Sequence, residues 1–169
     1  MKRYMLLIFS LLSLCYMPSL LALPNPVLHL GVGVDNLALN QKSNYTASVG
    51  LSEAFDEFFI TELTYSLEGI YHDSEKGPLL SRQSLALREL FVLPFHTIKF
   101  FAGAGPAYIF HTPYHTGSKE VALSLKGGVA VDMNDRLGFE GYYIRMQPFN
   151  GHEGDISNQF GMGIYFKFC

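Results

Sequence analysis

From Leu28 to Asp35 the chain alternates without a break, with Leu28, Leu30, Val32 and Val34 on one side and His29, Gly31, Gly33 and Asp35 on the other. A strand turns successive side chains to opposite faces, so this period of two predicts an extended segment with one greasy and one small, polar face. The pattern returns after Asn44, where Tyr45, Ala47, Val49 and Leu51 oppose Thr46, Ser48, Gly50 and Ser52. Beyond Pro26 no apolar run reaches the 18 or so residues that a membrane helix needs, so strands must carry whatever apolar surface the chain has.

Six further segments repeat the theme. Leu63, Tyr65 and Leu67 oppose Glu62, Thr64, Ser66 and Glu68; a fourth, from about Arg82 to Phe95, opposes Leu85 and Leu87 to Ser84, Ala86 and Arg88. Glu89 then falls on the apolar face, which predicts a bulge or a change of register there. The fifth, Ile98 to Phe110, puts Phe100, Ala102, Ala104 and Tyr108 opposite Lys99, Phe101, Gly103 and Gly105, with Pro106 as a local irregularity because it lacks a ladder donor. The sixth opposes Val121, Leu123, Leu125, Val129 and Val131 to Ala122, Ser124, Lys126, Gly128 and Asp132. Leu137, Phe139 and Tyr143 face away from Gly138, Glu140 and Tyr142 in the seventh; Phe160, Met162, Ile164, Phe166 and Phe168 face away from Gln159, Gly161, Gly163, Tyr165 and Lys167 in the eighth.

Between these segments, short connections at 53–57, 95–97 and 134–136 alternate with longer polar ones at 36–44, 72–81, 112–120 and 150–157. That alternation predicts an all-β, eight-stranded antiparallel up-and-down transmembrane barrel, with short turns in the periplasm and long loops outside the cell. A soluble lipocalin-like barrel would invert the faces, apolar inward and polar outward.

The length of 169 residues suits one domain. Only 16% of residues are charged, and the net charge of −3 gives no basic field for phosphate backbones, so nucleic acid is not an expected partner. Met1-Lys2-Arg3, an apolar stretch from Tyr4 to about Leu21 and then Ala22 follow the order of a secretory signal. The expected organisation is a signal peptide over 1–22 and a barrel domain over 23–169. Cys15 then leaves with the signal, and Cys169 alone cannot form an internal disulfide.

The stretch Asn158-Gln159-Phe160-Gly161-Met162-Gly163-Ile164-Tyr165-Phe166-Lys167-Phe168 resembles the closing strand of small bacterial outer-membrane barrels, and Leu137-Gly138-Phe139-Glu140-Gly141-Tyr142-Tyr143 is similar to their penultimate strand. The resemblance is to the OmpA-like, opacity and OmpX-type families. It implies residence in the outer membrane, lipid as a partner, delivery by the barrel-assembly machinery, and a structural or surface-interaction role in which the loops meet an extracellular or host ligand. Such chains commonly end in an aromatic residue; here Cys169 follows Phe168. Ile98-Lys99-Phe100-Phe101-Ala102-Gly103-Ala104-Gly105 also looks like the outer-membrane lipid A 3-O-deacylases, which use a His-x-Ser pair late in the barrel. The corresponding stretch, Tyr143-Ile144-Arg145-Met146-Gln147-Pro148-Phe149-Asn150, has neither imidazole nor serine. A serine hydroxyl needs an adjacent base, so that activity has no residues to rest on and catalysis is not expected.

The candidate site is a charge network on the inward faces: Glu62, Glu68 and Glu140 against Arg88, Lys126 and Lys167. Charges enclosed in a narrow barrel must be paired, so these residues are expected to plug the lumen rather than line a pore. His72, His111, His115 and His152 gather near the loops without metal-motif spacing, so no metal or cofactor is implied.

Overall fold

The computed structural model describes residues 25–35, 44–73, 77–111, 120–149 and 156–168, of which 44, 69–73, 77–82 and 111 are described as backbone only. The expected signal peptide, Cys169 and most of the long loops lie outside this set. Eight strands follow one another: β1 (Val27–Asp35), β2 (Asn44–Ala54), β3 (Phe59–Asp73), β4 (Gly77–Phe95), β5 (Ile98–His111), β6 (Glu120–Asp132), β7 (Leu137–Pro148) and β8 (Ser157–Lys167). Each pairs antiparallel with the next, and β8 closes on β1 through pairs running from Val27↔Lys167 to Asp35↔Gln159. Closure removes both sheet edges, so every strand finds backbone partners on two sides.

The short turns are held by their own side chains. Asp56 accepts hydrogen bonds from the amides of Phe58 and Phe59 at 2.7 and 2.8 Å, and Asn134 does the same for Arg136 and Leu137 at 2.9 and 2.8 Å. Both are Asx turns, in which a short polar side chain stands in for a backbone acceptor. The β4–β5 connection is only His96-Thr97, and His96 takes a left-handed φ of 58° that tight hairpins require.

The faces sort as the alternation predicts. Leu30, Val32, Val49, Phe59, Phe91, Phe100 and Met162 point outward, with Val32 61% and Met162 69% exposed. Aromatic pairs mark the outer surface near both strand ends: Phe95 meets Phe100 edge-on at 5.7 Å, and Tyr108 meets Phe110 edge-on at 4.7 Å. A water-soluble surface rarely carries a continuous apolar belt of this extent, whereas lipid chains require one.

The lumen is less uniformly polar than its sequence face suggests. Leu90, Val92, Phe101, Ile109, Ile144 and Met146 all point inward and are buried. Tyr142 and Tyr165 also cross the interior, and glycines make room for them: a Cβ at Gly161 would lie 2.5 Å from Tyr142 Cε2, and one at Gly138 would collide with the Tyr165 ring.

Two expectations need correction. No bulge interrupts β4 at Glu89, since the β3–β4 register runs evenly from Ile60↔Leu90 through Thr61↔Glu89 to Glu62↔Arg88. Glu89 truly faces outward, and its carboxylate accepts the Thr61 hydroxyl at 2.8 Å. The inward places go to Leu90 and Val92, so the change along β4 is one of chemistry and not of geometry. The register shift lies in the β2–β3 pairing instead, between Tyr45↔Ile70 and Ala47↔Leu67. The connection expected over 72–81 is mostly strand, because β3 and β4 continue pairing through Tyr71↔Leu79 and His72↔Pro78 to Asp73↔Gly77. Pro106 behaves as expected: the β4–β5 pairing steps from Ala86↔Ala107 to Glu89↔Ala104 across it.

Candidate functional site

Four of the six expected network residues meet in the middle of the lumen. Glu62 on β3 and Arg88 on β4 are direct cross-strand partners with both side chains turned inward. Arg88 Nη1 donates to Glu62 Oε1 at 2.8 Å, while Lys126 Nζ reaches across from β6 to Glu62 Oε2 at 2.5 Å. One carboxylate thus bridges two cations. Arg88 also donates through Nε to Ser124 Oγ at 2.8 Å and through Nη1 to Thr64 Oγ1 at 3.1 Å. Glu140 on β7 supplies the second anion, 3.7 Å from Lys126 Nζ. Lys126 is further flanked by the rings of Phe101 and Tyr142, 5.3 and 5.0 Å from its ammonium.

Two anions balance two cations here, and Arg88 and Glu62 have almost no exposed side-chain surface. Desolvation offsets most of the attraction in such a pair, so its net contribution is small, but removal of one partner leaves a buried charge with no counterion. The arrangement closes the middle of the barrel with packed, paired side chains.

The other two expected members lie elsewhere. Glu68, nearer the loop end, accepts the Ser84 hydroxyl at 2.5 Å and is fully buried. Lys167 stands at the short-turn end, where it and Lys99 share Asp132 at 2.7 and 2.9 Å, and Tyr165 donates to the same carboxylate at 2.5 Å. The sequence supplied the inward positions, but two residues on one face can still be a whole lumen length apart.

One residue outside the expected network joins it. His29 on β1 places Nδ1 3.4 Å from Glu140 Oε2 and forms a 2.8 Å hydrogen bond through Nε2 with Ser52 Oγ on β2. Its inward position among glycines was legible in the sequence, but of its partners only Ser52 lies on the next strand, and Glu140 is far away along the chain. His29, Ser52, Glu62 and Glu140 line a cavity of about 290 Å³ at the short-turn end, whose walls include Val27, Ile60, Leu90, Val92 and Phe101 and whose cations are Lys99 and Lys167.

The side chains of the four loop-end histidines fall outside what the structure describes. His115 and His152 lie outside the described residues, and His72 and His111 are described only as backbone near the ends of β3 and β5. Among the described residues no three His, Cys, Asp or Glu side chains converge as a metal centre needs. The stretch compared with the deacylases runs along β7, with Ile144 and Met146 buried in the lumen and Tyr143 hydrogen-bonded to Asn158 at 2.6 Å.

No family model matches the chain, and no curated protein matches it in sequence. Solved structures do. The N-terminal β-barrel domain of Pseudomonas aeruginosa OprF matches with a TM-score of 0.66 at 10% identity, over 86% of this chain and 98% of that one. Ail, the attachment invasion locus protein of Yersinia pestis, solved with the heparin analogue sucrose octasulfate, matches at 0.57 with 9% identity, over 85% and 98%. The outer membrane enzyme PagL matches at 0.55 with 14% identity, over 85% and 99%. These neighbours serve different ends on one scaffold, and at such identities the likeness speaks for the scaffold alone. Closed eight-strand topology, inward polar faces and an outward apolar belt give this chain the fold of the small outer-membrane β-barrels.

Proposed function

We propose that the chain is a bacterial outer-membrane protein with a structural or surface-interaction role, anchored by its barrel and meeting an extracellular or host partner through its loops. The observation that carries this reading is the closed lumen: Glu62 ties Arg88 and Lys126 together across the barrel, which argues for an anchor and against a water-filled channel. The outer belt supplies the lipid contact, and the barrel-assembly machinery is the route by which a closed barrel of this kind would reach its membrane. At the loop end the role is non-enzymatic, since the β7 stretch that would carry a deacylase pair has neither histidine nor serine.

Two experiments test it. Membrane fractionation, followed by gel mobility of unheated and boiled samples, should place the protein in the outer membrane and show a heat-dependent shift; recovery as a soluble periplasmic protein would overturn the reading. Adhesion to an epithelial cell layer should then fall when residues 112–119 and 150–155 are replaced by Gly-Ser segments of equal length. Equal adhesion by both versions, or none above background, would remove the surface role and leave the anchor.

A further inference from the structure

His29, Ser52 and Glu140 come from β1, β2 and β7, and no local motif joins them. Ser52 Oγ lies 2.8 Å from His29 Nε2, and His29 Nδ1 is a buried nitrogen with no hydrogen-bond partner, facing Glu140 Oε2 at 3.4 Å. Directing the Nδ1 proton at that carboxylate leaves the Nε2 lone pair for the Ser52 hydroxyl, a tautomer assigned from the geometry. The order is hydroxyl, imidazole, carboxylate. All three side chains line the short-turn-end cavity, whereas the packed lumen pairs Ser84–Glu68 and Ser124–Arg88 do not.

We propose that Ser52 is a nucleophile, with His29 as its base and Glu140 as the residue that positions the imidazole, acting on a small acyl ester whose chain occupies the apolar part of the cavity. This site goes beyond the surface role and lies at the opposite end of the barrel. Ser52 Oγ attacks the ester carbonyl as its proton passes to His29 Nε2; the C–O bond to the alcohol breaks, and the alkoxide leaves with that proton. Water, deprotonated by the same nitrogen, then cleaves the acyl-serine and returns the proton to Ser52.

The surroundings set the limits. A volume of about 290 Å³ admits one short chain and excludes a many-chained lipid. β2 is paired on both sides at Ser52, with Val27 and Glu62, so backbone amides are not at hand for a developing oxyanion. Lys99 and Lys167 line the same cavity and supply positive charge, although both are shared with Asp132. Glu140 in turn is shared with Lys126. Turnover is therefore slow, and covalent capture is the sensitive readout.

The test uses the folded full chain in detergent, treated with a short alkyl fluorophosphonate and read by intact mass and peptide mapping. Ser52 should take one phosphonyl group as its O–P bond forms and fluoride leaves with the serine proton. Ser52→Ala, which keeps nearly the same volume, should abolish the adduct; Ser48→Ala, at another lumen hydroxyl, should leave it unchanged. His29→Gln should slow labelling by about 100-fold and Glu140→Gln by about tenfold, both with the heat-dependent mobility shift intact. An unlabelled wild type, an adduct elsewhere than Ser52, or labelling of Ser52 unaffected by His29→Gln would overturn the proposal. Loop replacement should leave labelling untouched, so failure of the surface role and failure of this site are distinguishable.

Discussion

The middle of the lumen and its short-turn end are built from the same inward faces of the same strands, yet they differ in how charge is held. In the middle, Glu62, Arg88 and Lys126 lie within one packed cluster, with 1%, 0% and 4% of their side-chain surface exposed, and are bridged at 2.5 to 2.8 Å. At the short-turn end, Lys99, Lys167 and Asp132 keep 29%, 26% and 20% of their side-chain surface, and a cavity with apolar walls opens beside them. Geometry at single contacts is similar, so environment decides what each contact is worth. Solvent screens the pairs at the end, while those in the middle depend on one another.

The comparison is most easily broken by cutting the middle. Glu62→Ala leaves both Arg88 and Lys126 buried without their shared anion and should destabilise the barrel by about 3–5 kcal/mol. The chain contains no Trp, so the check is circular dichroism in a urea series together with the temperature at which the unheated gel form is lost. A loss below ~1 kcal/mol would mean that water reaches the cluster. Next in size, Gly161→Ala drives a methyl into the Tyr142 ring that roofs the Lys126 ammonium and should cost about 1–3 kcal/mol. Combining it with Tyr142→Ala should recover part of that cost in a double-mutant cycle.

At the short-turn end, Lys99→Ala should change stability by less than ~1 kcal/mol, because its partner keeps Lys167 and the pair is partly solvated. The same measurement in high salt should shrink that difference and leave the Glu62 effect nearly unaltered, which sharpens the contrast directly. The smallest expected effect is in the adjoining turn. His96→Gly relieves a left-handed conformation that costs a side chain about 1–2 kcal/mol, but frees the unfolded chain by ~0.5–1 kcal/mol, so a net gain below ~1 kcal/mol is expected.

How far the sequence could be read varies from strand to strand. β6 and β8 were legible in full because their alternation is nearly unbroken and each face has one chemistry. β4 was misread at Glu89, since a charged residue on a greasy face looks like a slipped register when the cross-strand Thr61 that receives it cannot be seen. The β3–β4 hairpin was read too short, as Pro78 and the polar residues around it suggest a loop, although the backbone keeps pairing to Asp73↔Gly77. In the lumen, the grouping of Glu62, Arg88, Lys126 and Glu140 followed from their shared inward face, while the separation of Glu68 and Lys167 did not. Face is encoded by parity along a strand; height depends on the register between strands.

The sequence by itself determined the inside and the outside of this protein, because side-chain direction alternates with chain position and needs no partner to define it. Strand number came from the same one-dimensional pattern, whereas the length of the β3–β4 connection did not. Only the tertiary structure decided which inward residues touch. Closing β8 onto β1 brings β7 close to β1, and that closure sets His29 between Ser52 and Glu140. Such a contact joins residues whose separation along the chain carries no signal, so it exists only once the ring of strands is complete.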